Sequence, residues 1–214
     1  MEESDAAPAR RPYDASGRRA AAERRRLHVA EVAARLFAEH GWNGTTLALV
    51  AEESGVSVEL VTKTFGGKAG LFMAAFRSAG FGRRGGLQQA FAQLRLEDEP
   101  DLDVRLDRFV EFVTATVVRM GPLVGVLGHG AEQDPALREL VRAAHQGHAV
   151  VCAEVAHRLT AGQAAPDAVD EVYLLTRSET YLTLAEQRGW TPERYATWLR
   201  RSLRAAIDGP PAGR

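Results

Sequence analysis

Four groups of residues in this chain have types and spacings that can do chemistry. Thr46, Ser57, Thr62, Lys63 and Lys68 place hydroxyl and ammonium donors in one short stretch, and such donors hold phosphate oxygens. Glu59 among them can accept from the exocyclic amine of cytosine, although a carboxylate near phosphates also repels. Five arginines, at 18, 19, 24, 25 and 26, precede that stretch. His145, His148 and Cys152 fall at i, i+3 and i+7, so one helix face can present two imidazoles and a thiolate. Such a set binds zinc, and His129 is the nearest fourth donor. Residues 80–85 read GFGRRG and match G-x-G-x-x-G, a pattern that cradles phosphates when it follows a strand.

The surroundings weigh against two of these groups. No stretch alternates with period two over a strand's length, and an amphipathic helix precedes Gly80, so the glycines read as a loop rather than a dinucleotide site. The His145, His148 and Cys152 trio reads equally as small and polar groups that line a pocket or face solvent. Cys152 sits in a helix interior, without the glycine elbow that exposes a nucleophile, and no Ser-His-Asp or Cys-His set can be assembled. Neither an enzyme nor a resident metal or cofactor is expected.

Composition agrees with a globular protein. The 214 residues are 45% hydrophobic and 26% charged, with a formal net charge of −1 and enough length to bury a core. One cysteine excludes an internal disulfide framework. No uninterrupted apolar run reaches the roughly 18 residues of a membrane span, and the N-terminus lacks the apolar centre of a signal peptide. A cytoplasmic protein without a membrane partner is the expectation. Residues 1–80 hold 11 basic and 10 acidic residues, so total charge says nothing of a nucleic-acid partner. Placement does: of 27 basic residues only Lys63 and Lys68 are lysines.

The elements that position these groups are helices throughout, about nine of them. Residues 1–17 read as a flexible arm. Val29, Val32, Ala33, Leu36 and Phe37 then form one apolar stripe, which Gly41 ends. Thr45-Thr46 offers a cap for a short helix with Leu47, Val50 and Ala51. Ser57 caps the next, and Gly66-Gly67 ends it. Lys68 opens a helix with Leu71, Phe72, Ala75 and Phe76. Residues 80–100 form a seam with a short helix through Leu87, Phe91 and Leu94. A helix from Leu102 to Met120 is expected to break at Gly121-Pro122, with a short apolar segment after it. Asp134-Pro135 caps a helix to Leu159. The last two helices span about 167–188 and 191–208.

Between Thr46 and Phe65 two short helices meet across Gly55, with Ala51 at the contact and Val50, Val56 and Val61 facing inward. Val58, Glu59, Thr62 and Lys63 are left to face outward, as a helix-turn-helix presents its recognition helix to a major groove. The Arg18–Arg26 cluster can then reach the adjacent minor groove or the backbone, or simply open a solvated helix. The flanks, ARLFAEHGW, TTLALVAEESGVS and the glycine link into Lys68, Leu71 and Phe72, resemble the DNA-binding domain of TetR-type bacterial transcriptional repressors over about residues 24–76.

That resemblance implies an all-α homodimer with an N-terminal three-helix DNA-binding domain and a C-terminal domain for ligand binding and dimerisation. On this chain the implied domains are 18–80 and 81–214. The implied partners are an operator in double-stranded DNA, a small-molecule effector and a second copy of the chain. Two positions depart from the family pattern: Thr62 stands where an aromatic is usual, and Glu59 where a small residue is common. Candidate effector contacts are Phe109, Phe112, Val113, Thr116, Met120, Leu127, His129, His148 and Cys152, which suit a mainly apolar ligand. Candidate interface anchors are Tyr173, Tyr181, Tyr195 and Trp198. The alternative is a metal- or small-molecule-binding helical protein whose DNA recognition is weak or lost.

Overall fold

A computed structural model describes residues 15–82, 86–160, 162 and 167–208, and within them the chain is all α, with ten α-helices. These are α1 (Ala15–Gly44), α2 (Leu47–Glu53), α3 (Val58–Phe65), α4 (Lys68–Phe81), α5 (Leu87–Ala92), α6 (Leu102–Gln133), α7 (Pro135–Leu159), α8 (Ala168–Leu175), α9 (Ser178–Leu182) and α10 (Pro192–Asp208). Of the expected N-terminal arm, residues 1–14 lie outside the described residues, and 15–17 form the first turn of α1. Most of the loop expected at 162–166 also lies outside them, as do 83–85 of the glycine motif. Gly80 and Phe81 of that motif end α4.

Local chemistry sets the N-terminal helices. Val29, Ala33, Leu36 and Phe37 bury one stripe of α1. The helix kinks at Gly41, whose φ is 68°, and Trp42 then turns back into the core. Thr45 is buried and shares its hydroxyl proton between the carbonyls of Leu36 and Gly41, 3.0 Å from each. Thr46 caps α2 by accepting from the Leu49 amide at 3.1 Å, and Ser57 caps α3 by accepting from Leu60 at 3.2 Å. The turn between them needs the left-handed backbone of Gly55, at φ 66°, which side chains with a Cβ disfavour. α4 starts hard against the end of α3: a Cβ on Gly70 would lie 1.9 Å from the Phe65 carbonyl oxygen.

The structure corrects two expectations in the C-terminal part. α6 does not break at Gly121-Pro122 but runs on to Gln133. Pro122 occupies the exposed side, while Met120, Gly121, Leu123, Val124 and Leu127 around it are buried. The carbonyl that Pro122 leaves without a helical donor belongs to Val118, itself 36% exposed. Burial on both sides of the proline thus outweighs its cost of about 3 kcal/mol. Conversely, the single helix expected over 167–188 is two: α8 stops at Thr176, Arg177 is extended (φ −68°, ψ 141°), and α9 passes into a π-helical turn at Thr183–Gln187.

Two large hydrophobic clusters and a small one of Phe81, Ala90 and Met120 fill the interior. In one, Phe91, Leu106, Phe109, Val113, Val155, Leu159, Val172, Tyr195 and Leu199 join α5–α8 and α10. In the other, Val29, Phe37, Trp42, Val50, Val61 and Phe72 of α1–α4 pack with Leu123 and Leu127 of α6 and Leu137 of α7. The N-terminal unit therefore shares its core with the bundle across the seam. α6 is the one described helix long and apolar enough to cross a membrane. Here it is the central helix, packed by α1, α4, α7, α9 and α10.

Gly70→Ala tests the tightest of these contacts. The substitution should destabilise the protein by about 1–3 kcal/mol through overpacking, against a helix-propensity gain of about 1 kcal/mol, and lower the melting temperature by a few degrees. An unchanged or raised melting temperature would show that α3 and α4 do not meet this closely.

Candidate functional site

The α2–turn–α3 unit holds one face inward and leaves one face free. Val50, Ala51 and Val61 are buried, whereas Val58, Glu59, Thr62 and Lys63 are exposed, Val58 by 45%. The Thr62 hydroxyl donates back to the Val58 carbonyl at 2.9 Å, which leaves its oxygen as an acceptor. Thr46 and Ser57 use their oxygens to accept the cap hydrogen bonds, so their own O–H groups remain to donate outward.

The two lysines differ. Lys63 is exposed at the last turn of α3. Lys68 is partly buried with its Nζ 4.7 Å from the centre of the Trp42 ring. Burial lowers its pKa, and the charge of Asp134 opposes that shift. Lys68 thus spends its ammonium on the seam between the N-terminal helices and the start of α7.

Between α4, α5, α6, α7 and the α8–α9 break lies a cavity of about 530 Å³, within the size range of small-molecule sites. Phe109, Phe112, Val113, Thr116, Met120 and Leu127 line it from α6, and His148 and Cys152 from α7. His129 does not: it is exposed and bonded to Gln133 at 2.8 Å. Sequence reasoning missed the wall that α4 supplies through Met73, Phe76 and Phe81, and the polar corner of Thr176, Arg177, Ser178 and Glu179. Arg177 stands at the N-cap of α9 without a side-chain cap hydrogen bond, so no capping chemistry marks this corner in the sequence.

The polar corner fixes the states of its members. Thr176 donates its one hydroxyl proton to the Val172 carbonyl at 2.7 Å. The 3.1 Å contact between Thr176 Oγ1 and His148 Nε2 therefore requires Nε2 to carry the hydrogen. Burial lowers the His148 pKa to about 4, so the ring is neutral at pH 7. Burial also pushes the Cys152 thiol up to about 11, the opposite of what a thiolate ligand or nucleophile needs. His145 turns to Glu179, at 3.8 Å, which Arg177 also holds at 2.9 Å. Among the described residues no group of three or more His, Cys, Asp and Glu side chains is placed to hold a metal ion.

The four aromatic anchors separate into two kinds. Tyr181 and Tyr195 are buried inside the subunit, in contact with each other at 5.1 Å, and so are not free to anchor a partner. The Tyr195 hydroxyl donates to the Leu175 carbonyl at 2.8 Å, and burial raises its pKa. Tyr173 is partly exposed, 5.1 Å from the His148 ring. Trp198 is partly exposed beside Trp190 at 5.8 Å, and Leu174 on α8 is 57% exposed.

Residues 29–75 match the family model of bacterial regulatory proteins, tetR family. No curated protein matches the chain. Among solved structures, a transcriptional regulator from Rhodococcus sp. Rha1 is similar with a TM-score of 0.61 and 20% identity, over 86% of this chain and 96% of that one. NalD, the secondary repressor of the MexAB-OprM multidrug efflux pump in Pseudomonas aeruginosa, gives a TM-score of 0.60 and 21% identity, over 85% and 96%. The multidrug binding protein EbrR, complexed with imidazole, gives 0.58 and 19%, over 89% and 93%. The N-terminal unit thus matches the tetR family model, and the whole chain has the fold of these solved proteins.

The buried, neutral His148 predicts a pH dependence. Its pKa falls from 6.5 to about 4 on folding. Below pH 6.5 the unfolded chain therefore binds a proton that the folded one refuses, and stability is lost as pH drops. Relative to His148→Gln, which keeps a donor but cannot titrate, the native chain should lose roughly 3 kcal/mol of unfolding free energy between pH 7 and pH 4. Parallel denaturation curves for the two across that range would contradict it.

Proposed function

We propose that this chain is a ligand-responsive transcriptional repressor, a homodimer that binds a palindromic operator and is released by a small, mainly apolar effector. The observation that carries the reading is the division of α3. Its inner side, Val61, is locked into a core, while Val58, Glu59, Thr62 and Lys63 stand clear of the rest of the protein. Two such helices about 34–36 Å apart read successive major grooves of one duplex face.

In this reading Val58, Glu59 and Thr62 meet base edges, and Thr46, Ser57 and Lys63 donate to phosphates on either side. Lys68 comes second to Lys63 for that role, because a phosphate would have to draw its ammonium off Trp42. The effector occupies the cavity against Phe109, Phe112, Val113 and Met120, with His148 and Thr176 offering the polar contacts. Met73, Phe76 and Phe81 of α4 share that cavity, and the start of α4 abuts the end of α3 through Gly70. A ligand that moves α4 therefore moves α3, and DNA affinity falls by the coupling free energy. The description of EbrR as a multidrug binding protein supports a ligand-binding role for the cavity. The second copy docks on the outer faces of α8 and α10, where Leu174, Tyr173 and Trp198 are exposed in whole or part. With the Cys152 thiol protonated and buried, the cavity reads as a binding site, not a catalytic one.

A mobility shift on the DNA flanking the protein's own gene, at low salt, tests this directly: a retarded complex is expected, and its absence would overturn the reading. Lys63→Ala should weaken binding to all sequences. It should also flatten the slope of log affinity against log salt by about 0.9 for each phosphate no longer neutralised, hence about 2 for a dimer. An unchanged slope would remove Lys63 from the phosphate-binding set.

A further inference from the structure

α1 is helical from Ala15, well before the family-matched segment that starts at residue 29. At 1.5 Å per residue, Arg19 stands about 15 Å out from Val29, the point where the helix enters the core. This extension carries arginines at 18, 19, 24, 25 and 26, and no acidic side chain stands in its first turn. Arg26 meets Glu23 at 3.4 Å, between exposed side chains. Arg19, Arg24 and Arg25 are exposed and have no carboxylate partner among the described residues. For Arg19, Arg24 and Arg25 the described residues supply no anion, and an external one can pair with them.

The extension also runs beside α3. Between α1 and α3 runs a groove of about 390 Å³, floored by Val29, Leu60, Val61 and Phe65, with Arg19, Arg25 and the Glu23–Arg26 ion pair on its α1 rim. The Arg26 guanidinium lies 5.9 Å from the Phe65 ring centre. Arg24 points to the opposite side of the helix and does not line the groove.

We infer that the N-terminal extension of α1 is a second DNA-contacting element, in which Arg19 and Arg25 grip the sugar-phosphate backbone beside the groove that α3 enters. This rests on the DNA-binding reading of α3 and extends the contact beyond the helix-turn-helix. The partner is the phosphodiester chain of the same duplex, so the contact adds affinity and salt dependence without sequence preference.

The experiment compares Arg19→Ala/Arg25→Ala with Arg24→Ala in the full-length protein, on operator DNA over a series of salt concentrations. All three side chains are exposed, and matched melting temperatures confirm that the fold is kept. The double variant should lower the salt slope by about 1.8 per bound subunit, from about 0.9 for each phosphate released, and equally on operators with different flanking sequence. Arg24→Ala should leave the slope within error of the native protein. Equal loss per charge from Arg24→Ala would reduce the effect to general electrostatic attraction and overturn the inference. A loss confined to A·T-rich flanks would overturn it in favour of minor-groove insertion. If the native protein binds and the double variant keeps its slope, the inference fails alone; if the native protein binds no DNA, the reading of α3 fails with it.

Discussion

Trp42 cannot be buried by the N-terminal helices alone. Its indole stacks on Phe37 at 5.8 Å and meets Phe72 edge-on at 5.7 Å, but another side of the ring lies against Gly130 of α6. There an added Cβ would come within 2.8 Å of the ring and of Leu137. The Lys68 ammonium lies over the ring, under the influence of Asp134 at the head of α7. Burying an aromatic of this size removes about 150–250 Å² from water, worth about 4–6 kcal/mol at about 25 cal/mol per Å². Phe37 and Phe72 supply part of that burial, and the unit gains the rest only while docked on the bundle.

From that seam the functional arrangement follows. α4 has one end pressed on the carbonyl of Phe65 and the other in the cavity wall. Arg119 of α6 holds the far end by donating to the carbonyls of Ala79 and Gly80 at 3.1 and 2.7 Å. A rigid helix fixed at both ends transmits displacement rather than absorbing it. The exposed face of α3 and the cavity are thus two ends of one packed body, which is the physical requirement for a ligand in one to bias the other.

Local features are legible in the sequence because their causes are local. Thr46, Ser57 and Asp134-Pro135 announce helix starts by side-chain chemistry, and Gly55 and Gly66 announce turns by backbone freedom; all five act where expected. The family resemblance rests on the same stretch. The remainder depends on what packs against what. Pro122 looks like a break until the buried residues around it are seen. Tyr181 and Tyr195 look like interface anchors until the subunit encloses them. His145, His148 and Cys152 share a helix face, but the extended Arg177 divides them, giving Thr176 to His148 and Cys152 and Glu179 to His145. Lys68 looks like a phosphate ligand because nothing nearby in sequence says that Trp42 folds back beneath it.

Native-state hydrogen exchange bears most directly on the shared core. If α1–α4 and α6–α7 form one body, the slowest amides around Leu36, Phe37, Leu71 and Phe72 should exchange with the same free energy and denaturant dependence as those around Val113, Val117 and Leu123. They would then be opening through the same global event. If the N-terminal amides instead exchange through a separate opening of lower free energy while α6 stays protected, the two units are independent and the seam at Trp42 does not couple them.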